Sequence, residues 1–192
     1  MPKIVDHEAR RREIAEALWR ITRSDGWEAI TLRGVAAEAG VSMGLVQHYF
    51  RSKDEMLLFA LEIIVEDVRA EIRKVVAALP EPRTPRQLVT AVMMELVPRD
   101  RPNEIETAAV FMRRLQLRPE SLARLGAGQP QPDLRGMVAD QIRLARPDID
   151  ADLAASGLIA LLEGLLFVVV TGQQSSATAR AVMAAQLDYV FN

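Results

Sequence analysis

Apolar residues recur at the three- and four-residue spacing of amphipathic helices along most of the chain. Near the N-terminus this spacing predicts a first helix from about Asp6 to Arg23, and farther on a long helix from about Lys53 to Leu79. Between them, Thr31 is placed to cap a short second helix that Gly40 closes. Ser42 is placed to cap a third helix after a very short turn.

Beyond the long helix, proline and glycine residues separate shorter periodic segments. A loop is predicted at Gly126 to Pro132, where glycine and proline are dense. No segment shows the alternation typical of a half-buried strand. The pattern therefore predicts an all-α protein, with three N-terminal helices followed by a larger helical body. The body helices are expected at Arg86 to Val97, Glu104 to Leu117, Asp133 to Ala145, Asp150 to Gly172 and Ser176 to Phe191.

The composition agrees with this fold class and indicates an intracellular protein. Hydrophobic residues make up 49% of the chain but aromatic residues only 5%, a balance that favours helices over sheets. The absence of cysteine excludes disulfides, thiolate metal sites and cysteine nucleophiles. The N-terminal segment is charged and lacks the apolar core of a signal peptide, so we expect a cytoplasmic location.

The most apolar stretch, Leu158 to Val170, is interpreted as a buried helix at the core or at a subunit interface. It is shorter than a bilayer span and it carries Glu163, so we expect no membrane association. A carboxylate inside an apolar run needs a partner of opposite charge. Glu163 is therefore either the counter-charge of a cationic ligand or an ion-paired interface residue.

The chain has no arrangement of side chains that is typical of an enzyme. Its two histidines, His7 and His48, both lie among the first 53 residues. No Ser-His-Asp, metal-ligand or phosphate-loop spacing occurs. We therefore expect no catalytic activity, no cofactor and no metal.

Residues 31–50, TLRGVAAEAGVSMGLVQHYF, have the pattern of a helix-turn-helix. Alanines stand where the two helices must cross closely, and Gly40 lies in the turn. The second helix is expected to bury Val41, Val46 and Phe50. Its outward face then consists of Met43, Gly44, Leu45, Gln47 and His48.

This outward face suits the major groove of DNA better than it suits solvent. Met and Leu can meet thymine methyl groups, and Gln47 can pair with adenine through two hydrogen bonds. Gly44 lets the backbone approach DNA closely, whereas His48 is equally compatible with packing at the surface. Residues 1–53 are mildly basic, with nine Lys and Arg against seven Asp and Glu, while the remainder is acidic, with 15 against 19. This asymmetry fits an anionic partner at the N-terminal end.

The segment from Thr31 to Leu57 resembles the DNA-binding head of the TetR family of regulators. The resemblance rests on Gly40-Val41-Ser42, Tyr49-Phe50 and Ser52-Lys53 as well as on the helix pattern. It implies a homodimeric repressor that binds a palindromic operator and is released by a small-molecule effector. It also implies phosphate contacts from Thr31, Tyr49 and Lys53, and base reading by residues 43–48 next to the Ser42 cap. Gln47 departs from the pattern, because this position is often aromatic in the family.

The resemblance divides the chain into a DNA-binding domain, residues 1–53, and an effector-binding and dimerisation domain, residues 54–192. The C-terminal part is more weakly similar to the BetI-like branch, which includes choline-responsive regulators, through Pro119-Glu120 and Leu161 to Leu165. The last two helices are expected to form the dimer interface. An alternative is a helix-turn-helix protein that acts as a protein-interaction module without operator binding. Apolar residues of this kind are more often plain core than ligand contacts. The candidate effector contacts are Met93, Met94, Phe111, Met112, Leu115, Glu163 and Phe167.

Overall fold

The computed structural model describes residues 3–25, 29–99 and 133–192, and no strand occurs within these residues. The predicted all-α fold is confirmed. The helix predicted at Glu104 to Leu117 and the loop predicted at Gly126 to Pro132 lie outside the described residues. The described helices are α1 (Lys3–Asp25), α2 (Leu32–Glu38), α3 (Met43–Tyr49), α4 (Lys53–Ala77), α5 (Pro85–Leu96), α6 (Leu134–Ala145), α7 (Ala151–Val170) and α8 (Ser176–Phe191).

The chain forms two compact units, Met1–Glu66 and Asp67–Asn192. In the N-terminal unit, α1 packs against α2 and α2 packs against α3. The first turns of α4 complete a core that excludes water from apolar side chains of all four helices. An ion pair on the surface, Arg20 Nε to Glu38 Oε1 at 2.6 Å, also joins α1 to α2. The largest fully buried side chains of this core are Ile14, Leu18, Ile30, Val35, Val46, Phe50 and Met56.

In the C-terminal unit, α7 packs along α6 and α8, and α5 packs against the same two helices. The end of α5 is held by Arg180 of α8, whose Nη1 donates to the backbone carbonyls of Met94 at 2.6 Å and Val97 at 2.9 Å. These bonds satisfy carbonyls that a helix leaves unpaired at its C-terminus. The buried residues of this core include Val89, Met93, Val138, Ile142, Leu158, Leu162, Met183 and Leu187.

Side-chain caps set where the body helices begin. Asp133 and Asp150 are N-caps rather than first helical residues, so α6 and α7 each begin one residue later than predicted. Helix α5 begins one residue earlier than predicted, at Pro85, because Thr84 and Gln87 form a capping box. In that box Thr84 N donates to Gln87 Oε1 at 2.9 Å, and Gln87 N donates to Thr84 Oγ1 at 3.3 Å. Proline is well suited to the first helical position.

Other predicted boundaries also move. Helix α1 extends beyond both predicted ends, and α4 ends at Ala77, two residues before Leu79. Helix α7 ends at Val170, because the chain turns at Gly172, whose φ of 70° lies in the left-handed region that favours glycine.

The apolar stretch from Leu158 to Val170 is the second part of a longer helix. Helix α7 has 20 residues from Ala151 to Val170, and by length and composition it is apolar enough to cross a membrane. The helix is longer than the apolar stretch because residues 151–157 continue it back to the Asp150 cap. In this structure one face of α7 is buried against neighbouring helices, and its exposed face carries Asp152 and Glu163.

Candidate nucleic-acid interface

The two short helices of the predicted motif are built as the sequence indicates. Thr31 Oγ1 accepts a hydrogen bond from Gly34 N at 2.9 Å, which caps α2. Gly40 has a φ of 66°, in the left-handed region, so it reverses the chain where another residue would be strained. Ser42 Oγ then accepts from Leu45 N at 3.2 Å and caps α3. Both hydroxyls act here as acceptors, so each keeps a proton that it can donate to a phosphate oxygen.

Helix α3 presents the predicted outward face, with two differences at its edges. Val46 and Phe50 are fully buried, while Gly44, Gln47 and His48 are exposed and Met43 is 41% exposed. Val41 is only partly buried against the core, because it stands in the turn before α3. Leu45 is half-buried, because it lies one helical step of about 100° from Val46.

The start of α4 places Lys53 directly after this motif. Ser52 Oγ accepts from Glu55 N at 3.1 Å, and Glu55 Oε2 accepts from Arg51 N at 2.8 Å. The first bond caps α4, and the second ties the residue before the cap to the same Glu55 side chain, so together they fix the first turn of α4. Lys53 is the first residue of that helix and is half-buried, whereas Thr31 is exposed.

Two contacts from α1 to the motif were not predicted. The ring of His7 lies 4.5 Å, centroid to centroid, from the ring of Tyr49. The guanidinium of Arg11 lies 5.0 Å from the centre of the Phe50 ring. Neither pairing has a signal in the sequence, because the partners are far apart along the chain and no local motif joins them.

The four candidate effector contacts that lie within the described residues do not converge. Met93 is fully buried in the core of the C-terminal unit, and Met94 is partly buried against it. Glu163 and Phe167 lie one turn apart on the exposed side of α7, and Phe167 is 49% exposed. Phe111, Met112 and Leu115 lie outside the described residues. Within the described ranges, no group of His, Asp and Glu side chains is arranged to hold a metal ion.

Comparison with protein families gives two separate matches. Residues 12–59 match the family of bacterial regulatory proteins of the tetR type. Residues 85–192 match the C-terminal region of BetI-type transcriptional repressors. The first match includes the predicted helix-turn-helix, and the second covers the C-terminal part of the chain.

Relatives with the same organisation cover most of the chain. The chain is 32% identical over 169 residues to the HTH-type transcriptional regulator PksA of Bacillus subtilis, which covers 86% of this chain and 80% of PksA. It is 33% identical over 167 residues to the HTH-type transcriptional regulator BetI of Agrobacterium fabrum, which covers 86% and 79%. These relatives are transcriptional regulators and not enzymes.

Solved structures share the fold at lower identity. A putative TetR-family regulator from Rhodococcus sp. superposes with a TM-score of 0.75 at 24% identity, over 96% of this chain and all of that one. A putative regulator from Saccharomonospora viridis, solved in complex with choline, superposes with a TM-score of 0.73 at 23% identity, over 94% and 96%. With the family matches and the relatives above, these findings show that the chain belongs to the TetR family of bacterial transcriptional regulators and has a BetI-type C-terminal region.

Proposed function

We propose that this regulator is a cytoplasmic repressor that binds a two-fold symmetric operator as a homodimer and is released by a small-molecule effector. The observation that carries the proposal is the exposed face of α3, the helix that Ser42 caps, where Gln47 stands on the same helix as the exposed Met43 and Gly44. Such a face, on a helix held at the surface by buried Val46 and Phe50, is what major-groove reading requires.

The DNA contacts divide into two classes. We assign base reading to residues 43–48 and phosphate binding to Thr31, Ser42, Tyr49 and Lys53. Phosphate contacts fix the register of the protein on DNA, and base contacts carry the sequence preference. We also propose that the chain divides into a DNA-binding domain (1–53), which contains all of these contacts, and an effector-binding and dimerisation domain (54–192).

The proposed dimer forms through the exposed faces of α7 and α8. Along α7, exposed positions one helical turn apart form a stripe with large apolar residues at its ends and small residues between them. Leu153 is 72% exposed and Phe167 49% exposed at those ends. A β-carbon added at Gly157 or Gly164 would meet nothing within 4 Å. A second copy related by two-fold symmetry covers such a self-complementary surface, and it also provides the second reading head that a symmetric operator needs. The matching stripe of α8 is Thr178, Val182, Ala185 and Tyr189.

We place the effector site in the C-terminal unit. Met93 and Met94 of α5 remain candidate contacts, whereas the exposed positions of Glu163 and Phe167 favour the dimer interface. Near-complete release requires the effector to prefer the non-binding state by about four orders of magnitude, or about 5.5 kcal/mol. By linkage, operator DNA must lower effector affinity by the same factor. Calorimetric titration of a ligand found in a thermal-shift screen, with and without operator, measures this factor directly.

A salt titration distinguishes the proposed repressor from the alternative function, a protein-interaction module without operator binding. Binding of fluorescent duplexes enriched from a random library is compared with binding of shuffled duplexes at several salt concentrations. A repressor shows a steep salt slope and an affinity for the enriched duplex about a thousandfold or more above that for the shuffled one. Equal affinity for both duplexes would reject operator binding.

A further inference from the structure

Three aromatic rings from two helices meet at the C-terminal end of α3. The ring centre of Tyr49 lies 4.5 Å from that of His7 and 5.2 Å from that of His48, with interplanar angles of 64° and 78°. The two histidine rings are 6.3 Å apart at 66°. All three contacts have the edge-to-face geometry that aromatic pairs prefer.

The two histidines do not have equivalent roles in this cluster. His48 is the chain neighbour of Tyr49, so its ring moves with α3 and cannot fix Tyr49 relative to anything else. His7 belongs to α1, and its ring packs on Tyr49 from a separate helix. Contact with His7 therefore restricts where the half-buried Tyr49 ring directs its hydroxyl group.

We propose that His7 is a positioning residue, which holds the Tyr49 ring against α1 so that the phenol hydroxyl is directed to a DNA phosphate. The inference rests on the proposed function, in which Tyr49 binds phosphate. A phenol that is already held in its binding orientation loses less side-chain freedom when DNA binds. His7 is exposed and is not part of the core of the N-terminal unit, so it can be replaced without disrupting that core.

The first test observes the Tyr49 ring without DNA. The chain contains two tyrosines, Tyr49 and Tyr189, so protein labelled with 3-fluorotyrosine gives two fluorine NMR signals, which Tyr189→Phe assigns. His7→Ala is expected to shift or broaden the Tyr49 signal, and His7→Phe to restore a single narrow one. Glu8→Gln, a change at the exposed neighbouring position, is the control and should leave the signal in place. A Tyr49 signal that His7→Ala leaves unchanged overturns the proposal.

The second test is a double-mutant cycle on a duplex enriched by the wild-type protein from a random library. Loss of one edge-to-face pair corresponds to about a 2- to 10-fold change, so His7→Ala should weaken binding by that factor and His7→Phe should restore it. In the Tyr49→Phe background, His7→Ala should cause no further loss, because the hydroxyl group that it positions is gone.

Two results of this cycle overturn the positioning role. If His7→Phe fails to restore affinity and His7→Ala still weakens binding in the Tyr49→Phe background, His7 contacts DNA directly. If Tyr49→Phe alone leaves affinity unchanged, there is no phosphate contact for His7 to position. A wild-type protein that binds every duplex equally rejects the proposed function instead, and the fluorine spectrum still decides whether His7 holds the ring.

Discussion

The guanidinium of Arg11 lies 4.0 Å from the centre of the Phe59 ring and so joins α1 to the first part of α4. The same guanidinium lies 5.0 Å from the Phe50 ring, which follows α3, and the two phenylalanine rings are 5.5 Å apart. Burial raises the pKa of the Glu62 carboxyl on α4, and the charge of Arg11 opposes that rise. Arg11 thus helps to hold the first part of α4 close to the C-terminal end of α3, the proposed reading helix, within the N-terminal unit.

Replacing Arg11 should loosen this contact. Arg11→Met keeps much of the side-chain volume but removes the cation, so we expect a loss of about 1 kcal/mol in stability. The pKa of Glu62 should rise further, and a carboxyl with a raised pKa disfavours the folded state once the pH is high enough to ionise it. The loss should therefore be larger near neutral pH than in mild acid.

Urea unfolding followed by tryptophan fluorescence measures this loss, because both tryptophans of the chain, Trp19 and Trp27, are among its first 66 residues. Arg12→Met, at an exposed neighbouring position, is the control. Equal midpoints for Arg11→Met and wild type at both pH values would show that the cation contributes nothing to stability.

The proposed phosphate contacts should contribute to the salt dependence of DNA affinity. Lys53→Ala should weaken binding to all DNA sequences alike and reduce the salt slope by about one unit for each half-site. Tyr49→Phe should also weaken binding without altering base preference, because it removes a hydroxyl donor but no charge. Lys74→Ala, at an exposed lysine paired with Glu71 near the end of α4, should leave the slope unchanged. A change in base preference with either Lys53→Ala or Tyr49→Phe would contradict the assignment.

Substitution of a single side chain, Phe167, tests the proposed dimer. Phe167→Lys places two charges in a two-fold interface, and we expect a loss of about 2 kcal/mol or more in dimer stability. Light scattering at micromolar concentration should give twice the chain mass of 21.3 kDa for the wild type and a shift towards one chain for the variant. Leu144→Lys, at a position on α6 that is 72% exposed, is the matched control. A wild-type protein that is monomeric at this concentration would contradict both the dimer and the spacing of its two reading heads.

Acid should weaken the contact between Arg146 and Asp148 in the C-terminal unit. Arg146 donates from Nε and Nη2 to the two carboxylate oxygens of Asp148 at 2.9 and 2.8 Å, and from Nη1 to the carbonyl of Val190 at 3.2 Å. The hydrogen bonds from Arg146 are the main cause that lowers the pKa of Asp148 to about 2. Because this pKa is lower in the folded state, the stabilisation is complete above the ordinary range of a carboxyl and is lost as the pH falls towards about 2.

Asp148→Asn should therefore lower the stability of the C-terminal unit at neutral pH, and the difference from wild type should close as the pH falls through this range. Urea unfolding followed by circular dichroism at a series of pH values measures both effects. In an Arg146→Met background the substitution should have no effect. A difference from wild type that stays constant down to about pH 2 would show that the ion pair is not its cause.

The features that could be predicted from the sequence are those that depend on residues close together in the chain. Thr31, Gly40 and Ser42 were identified correctly because capping and a left-handed turn depend on a few neighbouring residues. The Thr84 cap was missed although its signal was present, with Gln87 three residues later.

Long-range contacts were not predictable in this way. The pairs His7–Tyr49 and Arg11–Phe59 join α1 to residues much later in the chain, and no periodicity encodes them. The orientation of Phe167 was missed for a different reason. Helix α7 is apolar on nearly every side, so its sequence does not distinguish the buried face from the exposed one.

Whether the exposed face of α3 reads operator sequence is tested most directly by selection from a fully randomised duplex library, carried out with wild type and with Gln47→Ala. The wild type should enrich a two-fold symmetric site. Gln47→Ala should keep that symmetry but lose preference at one position of each half-site, at a cost of about 1 to 3 kcal/mol if the contact is a bidentate adenine pair. A selection in which the wild type enriches no common site would contradict the account, and an unchanged preference with Gln47→Ala would reject this residue as a reader.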